Sequence, residues 1–123
     1  MALPPAVHII DDDDAVRDSL AVLLEIRGVP VVTYGSAEAF LAALAEGAEG
    51  CVVTDVQMPR MNGLELLAAL KAGGHALPVI VVTARSGRAL AAEALARGAA
   101  VLIEKPFAAQ ALVDAVRSAL DGA

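Results

Sequence analysis

Residues 51–71, CVVTDVQMPRMNGLELLAALK, contain a complete strand-to-helix unit. The run CVVTD is apolar, partly β-branched and ends in an aspartate, which is typical of a buried strand. The turn QMPRMNG follows, and Asn62 with Glu65 makes a capping-box-like start for a helix over residues 63–71. The stretch therefore predicts a strand, a turn and a helix, with Asp55 at the carboxyl end of the strand.

The same alternation of strand and helix runs through the rest of the chain. Further strands are predicted at residues 6–10, 30–34, 78–83 and 100–104, and further helices at residues 14–27, 36–44, 88–97 and 109–120. Because the strands are continuous apolar runs, both faces of the sheet should be covered. Short connections and right-handed crossovers then favour a parallel sheet with helices on both sides.

Composition restricts the class of protein further. The 123 residues suit one domain, and 58% hydrophobic with 20% charged residues suit a folded core. A net charge of −6 argues against direct nucleic-acid binding, which needs a basic face. The single cysteine suits a reducing cytoplasm, and no signal peptide or apolar span long enough for a membrane is evident. We expect a soluble cytoplasmic domain with no membrane partner.

Polar residues stand where the predicted strands end. Ligands of a doubly wound sheet bind outside the carboxyl ends of its strands, near the point where strand order reverses. Carboxylates there suit Mg²⁺, or Mn²⁺, and an aspartate can accept a phosphoryl group whose oxygens a lysine and a hydroxyl would bind. The residues in question are Asp11, Asp12, Asp55, Thr83, Glu104 and Lys105.

Five stretches carry a family resemblance: VHIIDDDDAVRDSL, YGSAEAFL, VVTDVQMPRMNGLELL, LPVIVVTA and LIEKPF. In this order, across residues 7–107, they resemble response-regulator receiver domains (CheY-like), and among these the FixJ-like receivers. The resemblance implies a flavodoxin-like, doubly wound, five-stranded parallel sheet of order 2-1-3-4-5, with five helices in three α/β/α layers. It also implies a single receiver domain over residues 1–123, with a core over about residues 6–120.

The resemblance assigns the acceptor and the metal ligands. Asp55 matches the phosphorylated aspartate, Asp12 the direct Mg²⁺ ligand, and Asp11 its partner acting through a metal-bound water. The backbone carbonyl of Gln57 would complete the protein ligands. The next two aspartates, Asp13 and Asp14, have a simpler explanation, because acidic residues in a first helical turn favour the helix dipole.

Other residues are assigned to the phosphoryl group and the switch. Lys105 and the backbone N–H of Ala84 would bind the phosphoryl oxygens, and Thr83 would be the hydroxyl that moves toward them. Gln57 and Arg85 occupy positions that tune the phosphoryl lifetime in the family. Four residues would shape the loops: Met58, Pro59, Gly63 and Pro106. The peptide bond between Lys105 and Pro106 would be cis. Candidates for docking the kinase are Ala15, Val16, Ser19 and Phe107.

Leu102 departs from the family pattern. FixJ-like receivers mostly have an aromatic residue three positions before the lysine, and its rotation reports the movement of the threonine to the outer face. Leucine can repack but cannot swing a ring, so we expect a weaker or differently built switch on the face of the fourth helix, fifth strand and fifth helix. Coupling would then run through Thr83 and the backbone of residues 84–97.

The predicted function is that of a two-component receiver. A sensor histidine kinase would donate its phosphoryl group to Asp55 in a Mg²⁺-dependent reaction, and the domain would also catalyse loss of that group. An output domain or downstream protein would read the change, and the chain is either free-standing or part of a longer regulator. Dimerisation could use the face that carries the switch.

Two alternatives remain open. An aspartyl-phosphate phosphohydrolase commonly carries a second aspartate two residues after the nucleophile, where this chain has Gln57, and no insertion large enough for a substrate cap is present. A pseudo-receiver that binds partners without phosphorylation usually lacks one or more of the residues that are complete here. Only Leu102 favours it.

Overall fold

The computed structural model describes residues 5–45 and 47–121. The predicted domain of residues 1–123 extends past both ends of this part, so residues 1–4 and 122–123 lie outside the described residues. None of the described helices is long and apolar enough to cross a lipid bilayer.

Strands and helices alternate strictly along the described part of the chain. The strands are β1 (Ala6–Ile10), β2 (Val31–Tyr34), β3 (Gly50–Asp55), β4 (Val79–Thr83) and β5 (Val101–Glu104). The helices are α1 (Asp14–Ile26), α2 (Ala37–Ala43), α3 (Gly63–Ala72), α4 (Arg88–Ala96) and α5 (Ala109–Asp121). Each predicted element is present with its ends within one residue. The single turn of 3-10 helix at Arg85–Gly87, before α4, is an addition.

The strands form one parallel sheet in the order β2-β1-β3-β4-β5. The chain leaves β1 toward β2 on one side and returns to add β3 on the other, so the order reverses between β1 and β3. This confirms the predicted flavodoxin-like, doubly wound fold. The reversal creates a crevice at the carboxyl ends of β1 and β3, which is where such sheets bind ligands.

Two apolar clusters, one on each face of the sheet, hold the three layers together. The first packs α1 and α5 on the sheet through buried residues such as Leu24 and Val113. The second packs α2, α3 and α4 through residues such as Phe40, Leu66 and Ala91, all of them fully buried. Because strand side chains alternate between the faces, both clusters draw on the same strands. The charged side chains near the sheet therefore lie at the carboxyl ends of the strands.

The start of α3 fixes the loop that follows β3. Asn62 Oδ1 accepts from the Glu65 N–H at 2.9 Å, and Glu65 Oε1 accepts from the Asn62 N–H at 3.0 Å, so the predicted capping box is confirmed. The N–H of Gly63 donates to the Val56 carbonyl at 3.0 Å. A Cβ at Gly63 would lie 2.9 Å from Val56 Cα, so only glycine lets the helix begin this close to the strand.

Candidate functional site

Two carboxylates meet at the crevice between β1 and β3. Ile10 pairs in register with Thr54, so the next residues of the two strands, Asp11 and Asp55, emerge side by side. Asp11 is 3% exposed, and the Asp55 side chain is 16% exposed. Asp12 follows on the open side and is exposed. The sheet thus brings the predicted acidic residues to one edge, with two of them largely removed from water.

Backbone N–H groups orient both inner carboxylates. Asp11 Oδ1 accepts from the Asp13 N–H at 2.9 Å, and Asp55 Oδ1 accepts from the Gln57 N–H at 3.0 Å. In each case the donor is two residues further along, which is the geometry of an Asx turn. One oxygen of each carboxylate is therefore held by its own loop, and the other oxygen of Asp55 faces Lys105.

Lys105 connects the last strand to Asp55. Its Nζ lies 3.3 Å from Asp55 Oδ2, and its backbone N–H donates to the Thr83 carbonyl at 2.8 Å. Thr83 ends β4, is 1% exposed and donates its hydroxyl to the Ala84 carbonyl at 2.8 Å. The structure therefore brings Lys105, Thr83 and Ala84 to the same edge as the aspartates, as the sequence predicts. The Lys105–Pro106 bond is cis.

Like charges and burial act together on Asp11. Burial raises the pKa of its carboxyl, and the nearby negative charges of Asp55 and Asp12 raise it further. The Asp13 N–H and the Lys105 ammonium act in the opposite direction without reversing the shift. The site thus carries more negative charge than its own lysine compensates, which favours binding of an additional cation.

The donor set fits a hard divalent cation. Within residues 5–45 and 47–121, no three carboxylate, imidazole or thiol side chains are grouped closely enough to hold a metal by themselves. Mg²⁺ does not require this, because it is commonly bound through one or two carboxylates and keeps several waters. The carboxylates of Asp55 and Asp12 and the carbonyl of Gln57 would supply its protein ligands, and Asp11 would act through one of the waters.

The outer aspartates of the run belong to α1. Asp13 is the N-cap of the helix, and its Oδ1 accepts from the Val16 N–H at 3.1 Å. Asp14 begins the helix and forms an ion pair with Arg17, as the i,i+3 spacing allows. Arg17 Nη1 also donates to the Asp11 carbonyl at 2.7 Å, which places a cation within the acidic run. The sequence analysis did not identify Arg17, although the D-x-x-R spacing indicates its ion pair with Asp14.

The loop after β3 contacts the loop after β4. Gln57 Oε1 accepts from the Ser86 hydroxyl at 3.1 Å, and Gln57 Nε2 donates to the Ser86 carbonyl at 3.4 Å. Arg85, the other predicted lifetime residue, is exposed in the same 3-10 turn. Ser86 could not be identified from the sequence, because a contact between residues 29 apart depends on how closely the two loops approach.

Met58 and Pro59 shape the first part of the loop after Asp55. Met58 packs against the α2–α3–α4 cluster, with its Sδ 3.9 Å from the Thr54 hydroxyl. Pro59 is exposed beside Arg60, which has φ of 66° and pairs with Glu38 of α2 at 3.2 Å. These contacts tie the loop to α2.

The four predicted docking residues lie together. They line a shallow depression of about 320 Å³ next to the acidic edge, together with Leu20 and Lys105. The depression is bordered by α1 on one side and by the start of the loop to α5 on the other. The four are Ala15, Val16, Ser19 and Phe107.

Leu102 is half-buried in β5 and packs on the cluster beneath α4. Two residues later, Glu104 Oε1 lies 2.6 Å from the guanidinium of Arg88, the first residue of α4. Arg88 and Glu104 thus link α4 to β5 by an exposed ion pair that the sequence analysis did not identify. Isolated exposed pairs of this kind add little to stability.

The doubly wound α/β fold, with two adjacent aspartates at the carboxyl ends of β1 and β3 and a lysine that contacts one of them, is typical of signalling receiver domains. A family model described as the response regulator receiver domain matches residues 7–117. The chain belongs to this family, whose members are the receiving domains of two-component systems.

Individual relatives support the FixJ-like assignment. The chain is 53% identical to the transcriptional regulatory protein FixJ of Azorhizobium caulinodans over 114 residues, which are 93% of this chain and 54% of that protein. It is 41% identical to the transcriptional regulatory protein TdiR of Thauera aromatica, covering 93% of this chain and 50% of that protein. The chain therefore spans about half the length of these curated relatives.

Two solved structures of FixJ support the same assignment. The crystal structure of FixJ-N superposes with a TM-score of 0.92 at 39% identity, covering 99% of this chain and 98% of that one. Full-length FixJ from B. japonicum gives a TM-score of 0.89 at 40% identity, covering 98% of this chain and 59% of that one.

We expect Asp11→Asn to raise the free energy of unfolding at pH 7. The pKa of Asp11 is raised in the folded chain, so ionisation of this carboxyl lowers stability as the pH rises through the folded-state pKa, whereas the amide does not titrate. The advantage of the variant should vanish once the pH falls below the ordinary aspartate pKa of 3.8. Urea unfolding across pH, without divalent cations, measures this.

Asp18→Asn is the matched control for that experiment, because Asp18 is an exposed aspartate of α1. It should not reproduce the gain. A loss of stability in Asp11→Asn at pH 7 would contradict the electrostatic account.

Proposed function

We propose that this chain is a single phosphoryl-accepting receiver domain in which Asp55 takes a phosphoryl group from the phosphohistidine of a sensor kinase. The observation that carries the proposal is the position of the Asp55 carboxylate. It lies at the carboxyl end of β3 between a lysine ammonium at 3.3 Å and a backbone N–H at 3.0 Å, beside the buried carboxylate of Asp11. A carboxylate held in this way is a positioned nucleophile.

In the transfer step, an Asp55 oxygen attacks the phosphorus as the bond from phosphorus to the imidazole nitrogen breaks. The electron pair of that bond stays with the imidazole, and the product is an acyl phosphate on Asp55. Lys105, the Thr83 hydroxyl and the Ala84 N–H would bind the phosphoryl oxygens, where negative charge concentrates. A bound Mg²⁺, or Mn²⁺, would supply further charge neutralisation.

The acyl phosphate would also be lost within the same domain. A water oxygen attacks the phosphorus, the bond to the Asp55 oxygen breaks, and its electron pair restores the carboxylate. Gln57 and Arg85 are proposed to set the rate, because both stand in the loops that border Asp55 and Thr83. Apart from these two steps, we assign the domain no enzymatic turnover.

Partners follow from the surfaces around the site. The depression lined by Val16 and Phe107 borders Lys105, so a kinase helix seated there would bring its phosphohistidine to Asp55. Relatives of about twice the length are transcriptional regulators, which supports an output domain or downstream protein as the receiver of the signal. The net charge of −6 argues against direct nucleic-acid contact by this domain. We place the exchange in the cytoplasm.

The switch is proposed to run from Thr83 to the face formed by α4, β5 and α5. The Thr83 hydroxyl now donates to the Ala84 carbonyl at 2.8 Å, and it would give up this hydrogen bond on moving toward a phosphoryl group. The backbone leading into α4 would adjust with it. Leu102 cannot report this by swinging a ring, so the change would be concentrated in α4. The same face is the proposed dimer surface.

Asp55→Asn should abolish labelling by acetyl phosphate, because an amide cannot form the acyl phosphate. Intact-mass spectrometry should find about 80 Da added to the wild-type chain and none to the variant. The matched control is Asp18→Asn, which should be labelled like wild type. An unchanged mass gain in Asp55→Asn would disprove the assignment of the acceptor, and steady hydrolysis of organic phosphates would favour the phosphohydrolase alternative.

Asp12→Ala should weaken Mg²⁺ binding by about tenfold or more and slow labelling in proportion. Amide chemical shifts of residues 11–13 and 55–57, titrated with Mg²⁺, measure the affinity, with Asp18→Ala as control. Labelling at the wild-type rate in the variant contradicts the ligand assignment. The pseudo-receiver alternative would be supported by two results together: Asp12→Ala abolishes Mg²⁺ binding, and no donor labels the wild-type chain.

Beryllofluoride, a phosphoryl mimic, should shift the amide signals of α4 more than those of residues 101–104. The reason is that Leu102 offers no ring whose rotation would change the surroundings of β5. The variant Leu102→Phe restores an aromatic side chain and should enlarge the shifts in β5. Changes at residues 101–104 as large as those in α4 of the wild-type chain would refute this description of the switch.

A further inference from the structure

The reciprocal contact between Gln57 and Ser86 holds both ends of one side-chain amide. The Ser86 hydroxyl donates to Gln57 Oε1 at 3.1 Å, and Gln57 Nε2 donates to the Ser86 carbonyl at 3.4 Å. The backbone N–H of the same glutamine donates to Asp55 Oδ1 at 3.0 Å. Gln57 is therefore bonded through its backbone to Asp55 and through its side chain to the turn that precedes α4.

Gly87 allows this turn to lie directly against the site. A Cβ at Gly87 would stand 2.4 Å from the Thr83 hydroxyl and 3.2 Å from Gln57 Cδ. The turn, the hydroxyl of Thr83 and the side chain of Gln57 thus converge on one point, and a larger residue at Gly87 would separate them. Ser86 and Gln57 are both exposed, so their contact lies at the surface of the site.

We propose that Ser86 is a positioning residue that holds the Gln57 amide at the turn and thereby slows hydrolysis of the acyl phosphate on Asp55. The inference rests on the proposed function, since it needs Asp55 to be the acceptor. Neither the resemblance nor the spacing of motifs points to Ser86. Its role follows from its contacts with the glutamine two residues after Asp55.

The chemistry explains the direction of the effect. In hydrolysis, a water oxygen bonds to phosphorus, the bond from phosphorus to Asp55 breaks with its electron pair returning to the carboxylate, and the water proton leaves with the phosphate or solvent. An amide oxygen near the phosphoryl group can orient this water, as glutamine does in some nucleotide hydrolases. While Ser86 donates to Gln57 Oε1, that oxygen is directed at the turn. Loss of the hydroxyl leaves only the 3.4 Å bond and releases the amide toward Asp55.

The test compares dephosphorylation rates of four chains: wild type, Ser86→Ala, Gln57→Ala and the double variant. Each is labelled with acetyl phosphate and Mg²⁺, freed of donor, and followed by intact mass. Ser86→Ala should lose its phosphoryl group about two- to tenfold faster than wild type, the range that one hydrogen bond supports. In the Gln57→Ala background the same substitution should change the rate by less than about 1.5-fold, because Ser86 acts through Gln57.

Two further variants separate positioning from a general structural effect. Ser86→Thr keeps the hydroxyl and should keep the wild-type rate, and Ser118→Ala removes an exposed serine of α5 and should leave it unchanged. An unchanged or slower rate in Ser86→Ala, or an equal acceleration in the Gln57→Ala background, overturns the inference while the acceptor assignment stands. A wild-type chain that is never labelled at Asp55 overturns the proposed function and this inference with it.

Discussion

The repulsion between two carboxylates held at the end of neighbouring strands is the constraint on which the site depends. Register between β1 and β3 brings Asp11 and Asp55 out of the sheet side by side, and Asp11 is buried. Lys105 compensates one negative charge, and Arg17 pairs with Asp14 and contacts Asp11 through its backbone carbonyl, not through its carboxylate. The remaining negative charge is one that a bound cation would neutralise.

The sequence was sufficient for the fold and for the residues that strands deliver. Apolar runs ended by polar residues located all five strands to within one residue, and parallel strands bring their carboxyl ends together whatever the details of packing. Asp11, Asp55, Thr83 and Lys105 were therefore predictable as neighbours. The cap at Asn62 was predictable because it depends on local residue types, whereas the cis bond at Pro106 was predictable mainly from the family resemblance.

Contacts between loops could not be predicted from the sequence in the same way. The bond between Gln57 and Ser86 and the ion pair between Arg88 and Glu104 depend on how near one loop or helix lies to another, and no periodicity encodes that distance. Gly87 illustrates the difficulty, because its small size is what lets the turn before α4 approach Thr83, yet glycine in a loop has many explanations. Arg17 is intermediate, since its i,i+3 pairing with Asp14 is local but its bond to the Asp11 carbonyl is not.

One residue, Lys105, touches three strands at once. It follows β5, its backbone N–H bonds to the end of β4, and its side chain reaches the end of β3. Of these strands, β5 alone stands at the margin of the sheet, with a hydrogen-bonded neighbour on one side only. Of the three strands that Lys105 joins, β5 is thus the one whose separation from the sheet would break backbone bonds to a single neighbour.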